Sequence, residues 1–316
     1  MRLSTFDDGR GCRPALQRHA EDDLIDLVAL TVLTGDKKLV GRCADVRTII
    51  AGGCGLTALL AELADKHHDQ LVEQSAVIDP HTVTYLPPVP RPEKIICLGL
   101  NYRDHLAETG LQMPKEPMFF GKFANSLIGH DQVIAPPPVS TQIDYEAELA
   151  VVIGRTGFDV AASDALDYVA GVMPFNDVSA RDLQLSNPLW TGGKAIDTFA
   201  PSGPALVLLD EITDIQNLAI KARVNGIVVQ DSTTAQMIFT VADVISFLSR
   251  IMTLVPGDII ATGTPAGVAH AHGPMTFLST GDVVEIDIPG VGVLRNSIGE
   301  PVGAMEPAQQ IAEVLP

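Results

Sequence analysis

The chain has 316 residues, 46% of them hydrophobic, with 21 basic and 39 acidic residues and a net charge of −18. This size allows one large domain or a large domain with a smaller companion, and the apolar content predicts a well-filled globular core. The strong negative charge repels phosphate backbones and anionic membranes, so we expect neither nucleic acid nor a membrane as a partner.

The sequence carries no sign of export or of a disulfide framework. Its N-terminus lacks the apolar segment of a signal peptide, and no run of about 18 apolar residues predicts a membrane span. The cysteines are widely spaced and form no Cys-x-x-Cys pair; they are Cys12, Cys43, Cys54 and Cys97. A reducing compartment fits this pattern, and we expect a cytoplasmic protein.

Residues 1–85 predict a small N-terminal accessory domain of the α+β type, in which residues 52–66 have the apolar spacing of a helix. Residues 85–92 read Tyr-Leu-Pro-Pro-Val-Pro-Arg-Pro. So many prolines cannot continue a helix or a central strand, so this stretch predicts a stiff connector. The second, larger domain is then expected over residues 92–316.

Behind the connector, residues 94–100 predict a buried strand, followed by a short helix that Asp104 caps and Gly110 ends. His105 and Glu108 are three positions apart, so they share one face of this helix. A glutamate beside a histidine orients the ring and raises its basicity, as a general base requires. A chance pair on the helix surface remains the alternative at this point.

Residues 143–154 form the most informative stretch, Ile-Asp-Tyr-Glu-Ala-Glu-Leu-Ala-Val-Val-Ile-Gly. Alternation along a strand places Asp144, Glu146 and Glu148 on one face, which continues into Ala150 and Val152. Carboxylates on a buried strand cost several kcal/mol each unless a positive charge meets them, and a divalent cation would do so. A solvated edge strand is the other interpretation.

Further polar residues follow an apolar strand that ends near residue 177. Asp177 is the third carboxylate that a hard cation needs, and Arg181 and Gln184 lie on one helical face behind it. Lys194 follows two glycines, but the rest of a phosphate-binding loop is missing. A lysine is ordinarily exposed to solvent, and the glycine and apolar neighbours of Lys194 make it a better candidate for a pocket residue than most.

From residue 205 onward the pattern predicts mostly strands, with a hairpin at Asn225-Gly226 and a helix over residues 241–251. His270 and His272 lie in a loop without a third metal partner, which predicts two surface residues. The sequence contains no Gly-x-Ser-x-Gly and no Gly-x-Gly-x-x-Gly motif. A serine hydrolase of the α/β class and a nicotinamide enzyme are therefore disfavoured.

Five motifs now stand in order along residues 94–298. They are Leu98-Gly-Leu-Asn-Tyr-Arg-Asp-His105-Leu-Ala-Glu108, Asp144-Tyr-Glu-Ala-Glu148, Asn176-Asp177-Val-Ser-Ala-Arg-Asp, Trp190-Thr-Gly-Gly-Lys194 and Gly257-Asp-Ile-Ile-Ala-Thr-Gly-Thr-Pro-Ala-Gly267. In this order they resemble the fumarylacetoacetate hydrolase superfamily, and the N-terminal 80 or so residues resemble, more weakly, the extra domain of bacterial members. Two stretches depart from the family pattern, Gly267-Val-Ala-His and Ser186-Asn-Pro-Leu-Trp190.

The resemblance implies an α+β fold that is mainly β, a mixed β-sandwich roll, and commonly a homodimer. It also implies a bound Mg²⁺, Mn²⁺ or Ca²⁺ with Glu146, Glu148 and Asp177 as ligands, while Asp144 is expected at the edge of the pocket. The resemblance also implies that His105 and Glu108 form the acid/base pair on a mobile lid and that Lys194 contacts the substrate. The residues implied to hold the oxygen atoms of the substrate are Arg181, Gln184 and Thr264.

The expected reaction is hydrolysis of a carbon–carbon bond in an acylpyruvate, a 2,4-dioxo acid. In this hypothesis His105, oriented by Glu108, deprotonates water, and the metal with Lys194 stabilises a pyruvate enolate. Decarboxylation of oxaloacetate, isomerisation of a hydroxymuconate-type diacid and hydration of a 2-oxo acid use the same enolate and remain alternatives. A non-enzymatic binding protein is disfavoured because all three carboxylates and Lys194 are present.

Overall fold

The computed structural model describes residues 1–19, 22–273 and 276–301, so the predicted end of the second domain at residue 316 lies outside the described residues. The strands in chain order are β1 Arg2–Asp7, β2 Arg13–Gln17, β3 Leu24–Asp26, β4 Val77–Ile78, β5 Thr84–Leu86, β6 Ile95–Gly99, β7 Met118–Lys122, β8 Leu127–Ile128, β9 Val133–Ile134, β10 Ile143–Asp144, β11 Ala147–Ile153, β12 Val169–Asn176, β13 Ser179–Ala180, β14 Ala200–Pro201, β15 Ala205–Leu208, β16 Ala219–Val224, β17 Ile227–Thr233, β18 Ile259–Ala261, β19 Val283–Ile288 and β20 Gly292–Ile298.

The α-helices are short and lie mostly in the N-terminal third. They are α1 Leu27–Thr34, α2 Lys37–Arg42, α3 Val46–Ala51, α4 Gly53–Lys66, α5 His68–Glu73, α6 Arg103–Thr109, α7 Arg181–Gln184, α8 Thr191–Lys194, α9 Val241–Ile251 and α10 Ala269–His272. Within the described ranges, none of the helices has the length and apolar character that crossing a lipid bilayer requires.

A mixed sheet of eleven strands runs through the described part of the chain in the order β4-β3-β2-β1-β15-β12-β11-β18-β6-β7, with β5 paired to β1. The N-terminal segment extends this sheet, because β1 pairs with β15 in an antiparallel register of Arg2 with Val207. Most strand pairs are antiparallel, but β18 pairs with β6 in parallel. The predicted accessory domain therefore shares a sheet with the larger part, and the boundary at residues 85–92 stays a prediction.

A second sheet of five strands, in the order β17-β16-β19-β20-β9, faces the large one. Leu149 and Val151 of β11 share one buried cluster with Ile220 of β16 and Ile286 of β19. The other face of β11, with Ala150 and Val152, packs in a separate cluster with the N-terminal helices. The predicted burial of this strand on both faces is confirmed, since every residue of β11 is buried.

The predicted continuous strand over residues 143–154 is wrong at its start, because the structure divides it into β10 and β11. β10 leaves the large sheet and pairs with β13, which places Ile143 opposite Ala180. At the break, a side chain takes the place of a backbone partner in the sheet: Asn176 Oδ1 accepts a hydrogen bond from the Glu146 amide at 3.0 Å. The break therefore occurs within the acidic motif itself.

Helix α6 is present as predicted, but the predicted cap at Asp104 is wrong. Tyr102 is the N-cap residue, and Asp104 lies in the first turn, where its carboxylate accepts from the His105 amide at 2.8 Å. Gly110 ends the helix with a φ of 69°, a left-handed conformation that glycine adopts without strain. The predicted helix over residues 241–251 is confirmed as α9, and Asn225-Gly226 joins β16 to β17 as predicted.

Candidate functional site

Three buried carboxylates meet where β11 lies beside the end of β12. Oxygen atoms of Glu146, Glu148 and Asp177 lie within 4.8 Å of one another. The register pairs Ala147 with Asn176, and the Asp177 amide donates to the Glu146 carbonyl at 3.0 Å. The pairing of two neighbouring strands thus places residues that are about thirty positions apart at one point.

Three buried cations surround this cluster. Lys194 Nζ lies 2.8 Å from Glu146 Oε2 and 2.8 Å from Asp177 Oδ2. Arg181 Nη1 lies 2.7 Å from Glu146 Oε1. The third cation is Lys122, which forms an ion pair with Asp177 and donates to the Val178 carbonyl at 3.0 Å.

Asp144, expected at the edge of the pocket, has a fully buried side chain. Its carboxylate accepts from Arg181 Nε at 2.8 Å and from the backbone amides of Ala269 and His270 at 2.8 and 3.0 Å. Asp144 therefore fixes the guanidinium of Arg181 and connects β10 to α10.

Burial and neighbouring charges shift the pKa values of this cluster in opposite directions. Burial raises the pKa of Glu146, but Lys194 and Arg181 outweigh it and lower the value to about 2. Burial, together with Asp177 and Glu146, raises the pKa of Glu148 well above its ordinary value. Burial lowers the pKa of Lys194, but Asp177 and Glu146 outweigh it and leave the pKa raised. The negative charge of Glu148 is thus the one that neighbouring cations compensate least.

Three buried atoms of this cluster have no hydrogen-bond partner: Glu148 Oε1, Arg181 Nη2 and Asp177 Oδ1. Asp177 Oδ1 forms an ion pair with Lys122, which leaves Glu148 Oε1 as the unpaired acceptor and Arg181 Nη2 as the unpaired donor. The other oxygen of Glu148 accepts from the Gly263 amide at 2.9 Å. The four carboxylates of the cluster, with Asp144 included, exceed its three cations by one charge. Oxygen donors with excess negative charge and a free buried acceptor fit a hard divalent cation.

His105 and Glu108 contact each other on α6, with 3.3 Å between His105 Nδ1 and Glu108 Oε2. Both oxygens of Glu108 accept from the Gly267 amide, at 3.0 and 3.2 Å. The Gly267 carbonyl in turn accepts from the Tyr145 hydroxyl at 3.0 Å. Because Tyr145 lies between Asp144 and Glu146, one loop residue connects the pair to the carboxylate cluster.

His270 and His272 are exposed as predicted, but they lie in α10 and not in the predicted loop. His272 nevertheless contacts the pair, because its Nε2 lies 3.4 Å from Glu108 Oε1. Nothing in the sequence around residue 272 indicates this contact, which depends on the fold bringing the end of α10 near Glu108 of α6.

The residues implied to hold substrate oxygens are buried beside the cluster. Gln184 Oε1 accepts from Arg181 Nη1 at 2.9 Å. Thr264, which lies in the loop behind β18, accepts from Gln230 Nε2 at 2.9 Å. Sequence reasoning assigned no role to Gln230 or Lys122, since neither residue belongs to any of the five motifs.

Helix α8 packs closely against α7 and so positions Lys194. A Cβ atom at Gly193 would lie 2.4 Å from the Gln184 amide nitrogen and 2.6 Å from the Ala180 carbonyl oxygen. At Gly192 a Cβ atom would meet nothing within 4 Å. Only the second glycine is therefore required by this contact.

Comparison with known proteins identifies the family of the chain. Residues 94–299 match the family described as fumarylacetoacetate (FAA) hydrolase C-terminal. The chain belongs to the fumarylacetoacetate hydrolase superfamily and is an enzyme of that superfamily, which confirms the resemblance noted in the sequence.

Two relatives with similar sequences are named as oxaloacetate tautomerases. The chain is 48% identical over 229 residues to a mitochondrial oxaloacetate tautomerase of Rattus norvegicus, covering 72% of this chain and 73% of the relative. It is 47% identical over 231 residues to a mitochondrial oxaloacetate tautomerase of Homo sapiens, with the same coverage of 72% and 73%.

Solved structures share the fold along nearly the whole chain. A fumarylacetoacetate hydrolase from Exiguobacterium antarcticum superimposes with a TM-score of 0.76 at 30% identity, covering 95% of this chain and 99% of the other. A maleylpyruvate hydrolase from Sphingobium, in complex with manganese(II) ion and pyruvate, gives a TM-score of 0.75 at 30% identity, with coverage of 96% and 100%. The predicted α+β, mainly β fold class is thereby confirmed.

Proposed function

We propose that the protein is a divalent-metal-dependent enzyme that interconverts the keto and enol forms of a 2-oxo dicarboxylic acid such as oxaloacetate. One observation carries the proposal: the buried cluster combines a free acceptor, Glu148 Oε1, with a free donor, Arg181 Nη2. Buried groups of this kind are costly unless a ligand completes them, and a cation with a carboxylate substrate supplies both partners. The choice of reaction follows the relatives named oxaloacetate tautomerases.

Glu146, Glu148 and Asp177 would hold the metal ion. Their oxygen atoms are the ligands that Mg²⁺, Mn²⁺ and Ca²⁺ accept, and we propose Mg²⁺ or Mn²⁺, with Ca²⁺ as the weaker alternative. When bound, such an ion supplies Lewis-acid polarisation of the substrate's carboxylate and keto oxygens.

The residues around the metal site would bind and orient the substrate. Arg181 is held by Asp144 and Glu146, which leaves Nη2 free to donate to a substrate carboxylate. Gln184 and Thr264 border the same cluster and would hold further oxygens. The charge of Lys194 would stabilise the negative charge that develops on the keto oxygen.

His105 would move the proton. Its Nδ1 faces Glu108, so the ring keeps the Nδ1 proton and presents a free Nε2 as the base. Nε2 takes a proton from C3 of the substrate, and the electron pair of that C–H bond forms the C2–C3 double bond. The keto oxygen gains the charge and then a proton, which completes the enol; the reverse sequence restores the keto form.

Hydrolysis of an acylpyruvate is the second candidate, and the neighbouring maleylpyruvate hydrolase with bound manganese and pyruvate favours it. In this reaction His105 takes a proton from water, the water oxygen bonds to the distal carbonyl carbon, and the C–C bond to the pyruvate part breaks. The electron pair of that bond becomes the pyruvate enolate, which a proton converts to pyruvate. Decarboxylation of oxaloacetate would also end in the pyruvate enolate, as the bond to the departing CO₂ breaks, and isomerisation of a hydroxymuconate-type diacid would pass through the dienolate of the intact diacid.

The partners proposed for the protein are small 2-oxo or 2,4-dioxo carboxylates and a second copy of the chain in a homodimer. We also propose a cytoplasmic location, because the widely spaced cysteines fit a reducing compartment. The names of several relatives place those proteins in mitochondria.

A substrate panel separates the two candidate reactions. With Mn²⁺ or Mg²⁺, the purified protein should accelerate enol–keto conversion of oxaloacetate more than it releases pyruvate from acylpyruvates. EDTA and Glu148→Ala should each abolish both activities. Faster pyruvate release would favour the hydrolase, and activity that survives both treatments would disprove a metal-dependent reaction.

The base is tested by His105→Ala, which should reduce turnover by roughly 10²- to 10⁴-fold because the proton acceptor is lost. Manganese binding measured by calorimetry should stay unchanged, since His105 contacts none of the three carboxylates in the structure. A large loss of manganese affinity would instead assign the histidine to the metal site.

A further inference from the structure

Gln230 lies where the start of β11 meets the loop that follows β18, the loop that contains Thr264 and Pro265. Its side chain is 2% exposed and comes from β17 in the five-stranded sheet, across from β11. Gln230 Oε1 accepts from the Ala147 amide at 2.9 Å, and Nε2 donates to Thr264 Oγ1 at 2.9 Å and to the Pro265 carbonyl at 2.8 Å. The amide group therefore has a partner for every hydrogen atom it offers.

The bond to Ala147 acts at the break between β10 and β11. Ala147 stands between Glu146 and Glu148, and its amide direction sets how these two carboxylates converge. Asn176 holds the preceding amide, that of Glu146, so two side-chain amides stabilise consecutive peptide groups of the break. Without Gln230 the Ala147 amide is buried and loses its acceptor, which is unfavourable because nothing else replaces the lost hydrogen bond.

The bonds to Thr264 and Pro265 fix the loop that follows β18. The stem of Gln230 also lies near this loop further on, because a Cβ atom added at Gly267 would be 3.1 Å from Gln230 Cγ. One side chain therefore binds Ala147, Thr264 and Pro265 and lies near the glycine that holds Glu108.

We infer that Gln230 is a positioning residue that aligns Glu146 and Glu148 for the metal ion and Thr264 for the substrate. The inference rests on the proposed metal-dependent function, and Gln230 is not one of the three proposed metal ligands. Groups that orient metal ligands from behind typically contribute about 10- to 100-fold to metal affinity or activity.

Gln230→Met tests this role because methionine retains the stem and volume but removes both hydrogen-bonding ends. We expect manganese affinity, measured by calorimetry, to fall by roughly 10-fold or more. At saturating manganese, KM should rise because Thr264 is released, while kcat stays near the wild-type value because the stem near Gly267 is retained. A purely structural residue would not produce this division between KM and kcat.

Gln216→Met is the matched control. Gln216 also bridges two segments by its amide, accepting from the Val241 amide at 2.9 Å and donating to the Thr234 carbonyl at 3.1 Å. None of these contacts belongs to the carboxylate cluster, so the control should lose thermal stability without losing manganese affinity.

Wild-type manganese affinity in Gln230→Met, or an equal loss in Gln216→Met, would overturn the inference. Failure of the wild-type protein to bind manganese would instead overturn the proposed function. If Gln230→Met does not fold, Gln230→Asn replaces it: this side chain stays polar but is one methylene too short to reach Ala147, and the same loss of affinity is expected.

Discussion

Glu148 is the residue at which stability and function oppose each other. It is fully buried, one of its oxygens has no partner, and neighbouring Asp177 and Glu146 raise its pKa further. In the metal-free protein such a carboxylate weakens the folded state, because the unfolded chain solvates it freely. A bound cation removes this cost.

Replacing Glu148 with glutamine should therefore stabilise the metal-free protein while abolishing manganese binding. We expect the free energy of unfolding in urea with EDTA to rise by roughly 1–3 kcal/mol, since an unsatisfied buried charge is removed. Calorimetry with manganese checks the loss of binding in the same preparation.

Glu146→Gln is the matched comparison and should have the opposite effect on stability. Its carboxylate pairs with Lys194 and Arg181, so the substitution leaves buried cations without compensation and should cost about 3–5 kcal/mol. Equal destabilisation by both substitutions would contradict the assignment of Glu148 as the uncompensated carboxylate.

Local spacing explains which site residues were predictable. Glu146 and Glu148 are two positions apart in an alternating pattern, and His105 and Glu108 are three apart on a helix, so local spacing alone predicts each pair. Lys122 is different, because it reaches Asp177 only after β7 and β12 have taken their places in the sheet. No local pattern marks a strand-end lysine as a buried counter-ion.

At the scale of elements, α8 shows how a glycine determines the position of a charged side chain. The helix has only four residues, and Lys194 is its last. Gly193 allows α8 to touch the backbone of α7 and β13 directly, which brings Lys194 to the carboxylates.

Gly193→Ala should displace α8, because the new methyl group would overlap backbone atoms that cannot move aside. We expect a loss of about 1–3 kcal/mol in the free energy of unfolding, together with a strong decrease in kcat. Gly192→Ala is the control, since its methyl group meets no neighbour, and it should retain both stability and activity. An active, stable Gly193→Ala protein would show that α8 tolerates a shift.

Individual helices and strands could be predicted better than the tertiary contacts that divide or join them. Alternation identified β11 and helical spacing identified α9, because each pattern is contained in a few consecutive residues. The division between β10 and β11 depends on Asn176 and Gln230, which approach from distant parts of the chain. Sequence periodicity contains no information on such partners.

At the scale of the whole molecule, the N-terminal segment and the site share one buried cluster. Leu3 of β1 and Leu60 of α4 belong to the same cluster as Ala150 and Val152 of β11. The segment is therefore expected to unfold together with the rest of the protein in a single transition.

Leu3→Ala tests this expectation. The fully buried side chain should contribute about 2–5 kcal/mol, and the loss should shift the whole unfolding transition. Trp190 is the single tryptophan and reports the site region, so its fluorescence and the far-ultraviolet circular dichroism should change together. Val32→Ala, at a side chain that is 67% exposed, is the control and should have little effect.

An earlier loss of circular dichroism, with the Trp190 transition unchanged, would identify the N-terminal segment as an independent unit. That result would support the predicted boundary at residues 85–92 as a true domain boundary.

The position of β18 determines when this site can form during synthesis. Its three residues lie between β11 and β6, antiparallel to one and parallel to the other. Until Ile259–Ala261 has left the ribosome, β6 and β7 cannot join β11 and β12, and the Gly263 amide cannot reach Glu148. Pairing over such long sequence separations folds slowly, so the acidic cluster is completed late, after more than four fifths of the chain has been made.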